Sequence, residues 1–528
     1  MTRRPTPFLR HSLAFALSTA LLGASASVLA ADLKVGLASE VTSMDPHFAN
    51  IAPNIAMSHH IFETLVTVNP EGQLVPCLAT SWKAISPTVW EFKLRDGVTF
   101  SDGTPLTAAD VVYSLERPAT ILNSPGPFTS ATKHIVKMEA VDDHTVHLTT
   151  SEPYGPLGLD ISDIFIVSKK ATEGLTTEDF NAGKGVIGTG PYKLDSFQKG
   201  ETIELTRNDS YWGDKPEWEH VTFRILPSSA PRLSALLSGN VDMIESVPPA
   251  DLARLKTDKN ITIAQHTTWR TLFWQMDQFR DKSPDITDAE GKPLDKNPLK
   301  DVRVRKAMSM AINRQALAER TLEGLGVPAS NINAPGIFGY NDDIKVEKYD
   351  PEGAKKLLAE AGYPHGFGIT LHGPAGRYIN DEQVAQTVAQ FLNRVGIKAK
   401  VVTEPVSVYF GHARAHDYSM ALLGWGSLAA DFTLRSIVGT PNTETGFGSW
   451  NWGEYSNPEV DKLVEESLSS VDNDKRSELA QKAVGVAMRD YAVIPSHHQL
   501  ATWALRKGLD YPGRVDEFTY AFEVHSDK

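Results

Sequence analysis

The order of strands and helices between residues 368 and 402 limits the fold class more than any other part of the sequence. Gly368 to His372 reads as a strand, Asp381 to Val395 as a helix, and Ile397 to Val402 as a second strand. Two strands joined by a helix run parallel, because only a crossover connection returns the chain to the same end of a sheet. The second half of the chain is therefore predicted to form a largely parallel sheet wrapped by helices.

The first half shows an antiparallel pattern instead. Between Val89 and Arg95, apolar residues alternate with charged ones, which is the period of a strand with one buried face. Asp96-Gly97 is predicted to turn the chain into a short second strand, Val98 to Phe100. Thr107 then precedes a helix in the spacing of a capping box, and Val136 to Thr150 is predicted to be a hairpin.

The length of the chain implies more than one lobe. It has 528 residues, more than one hydrophobic core usually absorbs, so at least two lobes are expected. The segment Asp277 to Asp301 is polar, charged and contains three prolines, which is linker composition. This segment separates the first part of the chain from a strongly helical second half.

Residues 1–31 are predicted to be a cleaved export signal. Arg3, Arg4 and Arg10 form its basic start, Leu13 to Gly23 is apolar, and Val28 to Ala30 ends in a small residue typical of a cleavage site. The apolar stretch is about half the length that spans a bilayer, which argues against a membrane anchor. A proline interrupts the sequence after the arginine pair, which favours general secretion over the twin-arginine route.

The net charge and the cysteine content limit the cellular compartments and the classes of binding partner that are expected. The formal net charge is −13, and residues 1–31 contribute only positive charge to it. Such an acidic chain repels nucleic acid, so no DNA or RNA partner is expected. Cys77 is the only cysteine, so no intrachain disulfide can form, and no cysteine lies at the signal boundary to carry a lipid. We therefore expect a freely diffusing periplasmic protein.

The sequence has no convincing motif for binding a cofactor or a metal or for catalysis. Gly183 to Gly188 matches the dinucleotide fingerprint, but a proline and a strand follow where a helix N-terminus is needed. The histidine pairs at 59–60 and 497–498 are adjacent residues, which does not suit a shared metal ligand set. The sequence contains no GxSxG or HExxH motif, and Cys77 has no catalytic setting. No cofactor, metal or enzymatic activity is expected.

Three blocks of sequence carry a resemblance to a known family: Ala79 to Arg117, then Gly188 to Lys193 followed by Leu205 to Gly213, and finally Val302 to Arg314. They resemble solute-binding protein family 5 of ABC importers, which includes peptide, glutathione and nickel receptors. The resemblance runs from about residue 33 to 525. It implies an α/β fold of the type II periplasmic-binding-protein class, with two hinged lobes and an extra subdomain in the first lobe.

The resemblance also implies domain boundaries. The first lobe would contain residues 32–75, about 200–293 and 501–528. Its extra subdomain would contain residues 76–199, and the second lobe residues 294–500.

Trp425 is the first candidate ligand contact, because the peptide receptors of the family have a ligand-facing tryptophan at this place. A core role is the alternative. Three residues later, where those receptors have an aspartate that binds the ligand's amine, this chain has Leu428. Capture of ordinary peptides through that contact is therefore not expected.

Asp431 and Arg435 are candidates to bind the solute in place of the aspartate that this chain lacks. The run from Asp431 to Ser436 resembles the glutathione-type members, in which an acid and a Leu-Arg pair occur. On a helix the two residues are four apart, so a mutual surface ion pair is the alternative. Arg270 and Tyr409 are further pocket candidates, and an arginine can clamp a carboxylate at two points.

Together these features predict a receptor that captures a small peptide-like, zwitterionic or acidic solute by hinge closure. It would act as a monomer and deliver the solute to an inner-membrane ABC permease. A periplasmic peptidase-type hydrolase and a metal or haem receptor of the same family are the alternatives.

Overall fold

The computed structural model describes residues 32–527, so the predicted export signal lies outside the described residues. The largest element in this range is a mixed sheet of eleven strands. In spatial order its strands are Tyr192–Gln198, Thr202–Arg207, His220–Ile225, Asp32–Leu37, Met243–Glu245, Ile494–Arg506, Ile261–Met276, Met420–Trp425, Gly368–Ala375 and Lys398–Pro405, with Gly326–Pro328 also paired to Ile494–Arg506.

Two long antiparallel strands, Ile261–Met276 and Ile494–Arg506, join the two halves of this sheet. Their first paired section continues into the half that contains Asp32–Leu37, and their second section continues into the half that contains Met420–Trp425. The ladder between them breaks between Thr267 and Thr271. The chain therefore crosses between the halves twice, and the crossing point is irregular.

The crossover unit predicted for the second half is confirmed. Gly368–Ala375 and Lys398–Pro405 are parallel, and the helix Asp381–Arg394 connects them. This helix buries Val384, Val388 and Leu392 against the sheet, at the i, i+4 spacing of one helix face. The α/β class is therefore confirmed, with parallel strands in both halves of the sheet.

A separate four-stranded antiparallel sheet lies between residues 79 and 150. Its order is Ala79–Ser86, Val89–Leu94, Thr145–Thr150 and Ile135–Asp142, which confirms the predicted alternating strand and the predicted hairpin. Thr107 and Asp110 form the predicted capping box of the helix Ala108–Glu116. The prediction of a strand at Val98–Phe100 is wrong. Phe100 turns straight back to Thr104, so only one isolated bridge forms there.

Other helices and short strands cover these sheets. The remaining helices are Ala52–Ile61, Thr129–Thr132, Leu157–Asp160, Lys169–Thr172, Thr177–Asn181, Ser229–Leu237, Pro249–Leu255, Val302–Ala311, Arg314–Ala316, Pro351–Glu360, Val406–Arg414, Ala430–Ile437, Pro458–Ser469 and Asn473–Arg489. The short strand pairs are Glu63–Thr64 with Phe165–Ile166, Val66–Val68 with Leu74–Pro76, and Leu509–Asp510 with His525–Ser526. Within residues 32–527, no helix combines the length and the apolar character that a membrane span needs.

The glycine-rich stretch before Pro191 is a packing feature. No helix follows it, and the strand Tyr192–Gln198 comes next, as predicted. A Cβ atom on Gly188 would lie 1.9 Å from the carbonyl oxygen of Ile61. Gly188 is therefore needed for the close approach of two backbones.

The polar segment between residues 277 and 301 is an ordered connection. Asp277 and Asn297 are both buried, and the Asn297 side chain donates to the carbonyl oxygens of Asp277 (2.9 Å) and Arg280 (3.0 Å). The segment with linker composition is therefore a loop that is held in place by its own buried hydrogen bonds.

Candidate functional site

Two adjoining cavities lie where the two long strands, Ile261–Met276 and Ile494–Arg506, pass from one half of the sheet to the other, a place called the strand crossing below. The first, of about 210 Å³, is lined by His60, Trp269 and residues 516–519, among others. The second, of about 320 Å³, is lined by Ile379 and residues 499–503, among others. Both cavities share Glu245, Ser246 and Glu517 in their walls. The candidate site is therefore built from parts of the chain that are far apart in sequence.

Arg270 and Glu517 form a two-point ion pair in the wall of the first cavity. The guanidinium Nε lies 3.2 Å from one carboxylate oxygen, and Nη2 lies 3.1 Å from the other. Burial lowers the pKa of Arg270, but the Glu517 carboxylate outweighs it, so the pKa lies above the usual arginine value. This pair places one positive and one negative group side by side at the strand crossing.

Glu245 lies at the end of the strand Met243–Glu245, and its carboxylate is held by neutral donors. The backbone N–H of Ala38 donates to Oε1 at 2.7 Å, and the Thr519 hydroxyl donates to Oε2 at 2.7 Å. The Trp503 indole N–H in turn donates to the Thr519 hydroxyl at 2.9 Å. Burial raises the pKa of Glu245, because the charged form loses water without gaining a full ion pair.

Two wall residues adopt a backbone conformation that non-glycine residues rarely use. Ser246 has φ 53° and Glu517 has φ 70°. A left-handed backbone conformation at a non-glycine residue costs about 1 kcal/mol or more of conformational free energy. Residues in such conformations cluster at functional sites. Both residues line both cavities, which supports a functional role for this wall.

Trp425 ends the strand Met420–Trp425, directly opposite Thr271 at the strand crossing. Its half-buried ring packs against Trp450, with 5.6 Å between the ring centroids, and its indole N–H is buried without an acceptor. Leu428 packs into a small apolar cluster with Val515 and Ile337. Trp425 thus has a free donor near the crossing, whereas the environment of Leu428 is apolar.

The alternative of a mutual ion pair between Asp431 and Arg435 is wrong. Asp431 is fully buried and pairs with Arg476 at 2.7 and 3.0 Å. The Ser467 hydroxyl donates to the same carboxylate at 3.1 Å. Its helix turns Asp431 into the core rather than toward Arg435. In this structure the Asp431 carboxylate is committed to a buried ion pair and does not face a cavity.

Arg435 lies on the outer side of the same helix. Its Nη2 donates to the carbonyl oxygen of Thr445, and its guanidinium lies 5.7 Å from the Phe447 ring. Its Nε is buried without an acceptor, and no carboxylate of the described residues lies within ion-pair distance of it. Arg435 therefore retains donors that a bound carboxylate could use.

Tyr409 occupies a core position in this structure. It is fully buried, its hydroxyl donates to the carbonyl oxygen of Leu422 at 2.7 Å, and its ring stacks on Tyr418. A side chain so enclosed, with its hydroxyl already used, does not reach a cavity.

Sequence reasoning missed Glu245, Ser246 and Glu517. No local pattern marks them, because the wall forms only when residue 517 folds back onto residue 270, which is 247 positions earlier. Arg270 and the adjacent Trp269 both line the first cavity, and a ligand-binding role of Arg270 stays a prediction.

The buried histidines serve the fold. Burial lowers the pKa of His497 to about 3 and that of His498 to about 4, so both rings are neutral. The Thr271 hydroxyl lies 2.9 Å from Nδ1 of His498. Over residues 32–527, no group of three or more histidine, cysteine, aspartate or glutamate side chains is placed to hold a metal ion.

Comparisons with known proteins agree with this architecture. The family model described as bacterial extracellular solute-binding proteins, family 5, middle part, matches residues 73–440, more than half of the chain. The dipeptide-binding protein of Escherichia coli K12 is 29% identical over 448 residues, 80% of each chain. The glutathione-binding protein GsiB of E. coli O157:H7 is 28% identical over 496 residues, 91% of each chain.

A solved structure shows the same fold. HbpA2 from Haemophilus parasuis has a TM-score of 0.80 and 24% identity, over 94% of this chain and all of that one. The predicted two-lobed periplasmic-binding-protein fold is thereby confirmed. The chain belongs to the bacterial extracellular solute-binding proteins of family 5.

Proposed function

We propose that this protein is the periplasmic receptor of an ABC importer for a small zwitterionic or acidic, peptide-like solute. The observation that carries the proposal is the pair of cavities at the strand crossing, whose shared wall contains Glu245 and the Arg270–Glu517 ion pair. A wall with both signs of charge complements a solute that also carries both signs. The related proteins are named for dipeptide and glutathione binding, which supports a solute of this class.

Capture would proceed by hinge closure. In this proposal residues 32–75, about 200–270 and 501–528 form the first lobe with residues 76–199 as its subdomain, and residues 271–500 form the second lobe. Residues 271–293 are assigned to the second lobe, and not to the first as the resemblance implied, because Leu272, Trp274 and Ile286 pack in the same core as the helix Asp381–Arg394. The break in the ladder between Thr267 and Thr271 lies on one of the two crossing strands and is the natural hinge. The solute would bind to the first-lobe wall and then be enclosed by the second lobe.

The second lobe would contribute Trp425 and Arg435. The unpaired indole N–H of Trp425 would donate to a solute oxygen, and the free donors of Arg435 would bind a solute carboxylate. Asp431 and Tyr409 are left out of this site, because the first is held by Arg476 and the second is enclosed in the core.

The remaining parts of the proposal concern location and partners. The protein would be exported by a cleaved signal peptide at residues 1–31, act as a monomer, and deliver its solute unchanged to an inner-membrane permease. Release by osmotic shock checks the location, and retention in the membrane fraction would refute it.

The binding proposal is tested with the purified mature protein. Mass spectrometry of co-purified compounds is followed by thermal-shift screening of the stripped protein against peptides, glutathione and opines. At least one peptide-like compound is expected to raise the melting temperature, because a solute that binds only the folded state stabilises it. No shift with any of them, or conversion of a bound compound by pure protein, would overturn the proposal.

Arg435→Ala tests the second-lobe contact. Loss of one charge-assisted contact is expected to weaken binding by about 10- to 100-fold in calorimetry, with little change in melting temperature. Arg394→Ala, at the exposed end of the helix Asp381–Arg394, is the matched control. Unchanged affinity in Arg435→Ala would remove Arg435 from the site.

A further inference from the structure

One charged side chain in the shared wall forms no direct ion pair with any of the described residues. Arg270 pairs with Glu517, and Asp516 pairs with Arg514 at 2.7 Å. Glu245 lines both cavities, yet no cationic side chain of residues 32–527 lies within ion-pair distance of its carboxylate. The Arg232 guanidinium favours the charged form of Glu245 without contacting its carboxylate, but burial outweighs it and raises the pKa of Glu245. A cationic group of a ligand in direct contact would therefore reduce the cost of this buried charge.

The backbone around this carboxylate is rigidly held. The guanidinium of Arg232, which is 3% exposed, donates to the carbonyl oxygens of Glu245 at 3.0 Å and Ser246 at 2.9 Å. The same guanidinium also donates to the carbonyl oxygens of Leu226 and Pro227. Arg232 thus fixes the main chain that carries the cavity wall, including the left-handed turn at Ser246.

The carboxylate itself is also oriented before any ligand arrives. Ala38 and Thr519 each donate one hydrogen bond to it, and Trp503 holds the Thr519 hydroxyl in place. A carboxylate has about four acceptor positions, so about two remain for a ligand. Preorganised acceptors of this kind contribute more to binding than mobile ones, because little ordering is lost when the ligand arrives.

We propose that Glu245 is a specificity-determining residue that accepts a hydrogen bond from a protonated amine of the solute. The inference rests on the proposed function and deepens it, because it assigns the cationic end of the solute to the first-lobe wall. The carboxylate end is then left to the arginines of the site. A solute whose amine is blocked would leave Glu245 without its partner and would be rejected.

Isothermal titration calorimetry at pH 7 tests this with glutathione and alanyl-alanine and with their N-acetyl derivatives. The wild-type protein is expected to bind the free-amine form about 10-fold or more tightly than the acetylated form. In Glu245→Gln the free-amine form is expected to lose most of this advantage, while the affinity for the acetylated form stays nearly unchanged. The glutamine can keep the two existing contacts, with its oxygen facing Ala38 and its amide facing the Thr519 hydroxyl.

Glu204→Gln is the matched control, because it removes one exposed carboxylate from the same sheet away from both cavities and should keep the wild-type ratio. A wild-type ratio retained by Glu245→Gln would overturn the inference and leave the proposed function standing. Equal affinity of wild-type protein for free and acetylated forms would overturn it without any variant. If wild-type protein binds none of the four compounds, the same comparison is made with the free-amine and N-acetylated forms of the solute found in the thermal-shift screen. The absence of any ligand in that screen would overturn the proposed function, and this inference with it.

Discussion

Replacement of Asp431 separates a structural role from a ligand-binding role. Asp431 and Arg476 are 0% and 4% exposed, and their contacts of 2.7 and 3.0 Å make a two-point pair. Asp431→Ala leaves a guanidinium buried without a counter-charge. Breaking such a pair by removing one partner costs about 3 to 5 kcal/mol of unfolding free energy. For a folding unit of about 200 residues, that lowers the melting temperature by about 6 to 20 °C.

Differential scanning calorimetry of the solute-free protein measures the effect, and a double-mutant cycle isolates the pair. The double variant Asp431→Leu with Arg476→Met removes both charges and is expected to recover most of the loss, because apolar residues of similar size often replace a buried pair without cost. An Asp431→Ala protein that melts like wild type but binds solute more weakly would refute the structural assignment.

Three further predictions concern other parts of the molecule. Gly188→Ala is expected to lower the melting temperature strongly, because its Cβ would lie 1.9 Å from the Ile61 carbonyl oxygen. Gly411→Ala, which adds a Cβ in open space on a helix, is the control and should be neutral or stabilising. Equal effects of the two substitutions on the melting temperature would refute the packing argument. The pKa of His497 is about 3 in the folded protein and about 6.5 unfolded, so its contribution to stability is complete above pH 6.5 and is lost as the pH falls toward 3. The free energy of unfolding of His497→Gln should therefore fall less than that of wild type between pH 7 and 5, by about 2 kcal/mol, in urea titrations; parallel pH profiles would contradict this. Burial raises the pKa of the Cys77 thiol well above its usual value, so a thiol reagent should label it only after unfolding in guanidinium chloride, and rapid labelling of the folded protein would contradict its burial.

Local patterns in the sequence predicted the elements that depend on near neighbours. The alternation between Val89 and Leu94, the capping box at Thr107 and the crossover around the helix Asp381–Arg394 all follow from residues a few positions apart. Periodicity predicts these elements because the spacing of apolar side chains along a strand or helix marks its buried face. The short strand expected at Val98–Phe100 failed, because an immediate reverse turn left too few residues to form a ladder.

The candidate site depends on contacts that no local pattern contains. By sequence alone Asp431 had a partner four residues away, but the tertiary fold buries it and supplies Arg476, 45 positions later. Arg270 found its partner 247 positions later, and Glu245 acquired its place between two cavities from a strand of three residues. The sequence by itself determined the family of this protein and those strands and helices whose buried face shows in the local periodicity. Only the tertiary structure decided which charges are neutralised inside the protein and which are left for a ligand, because that depends on the three-dimensional proximity of distant segments and on their burial.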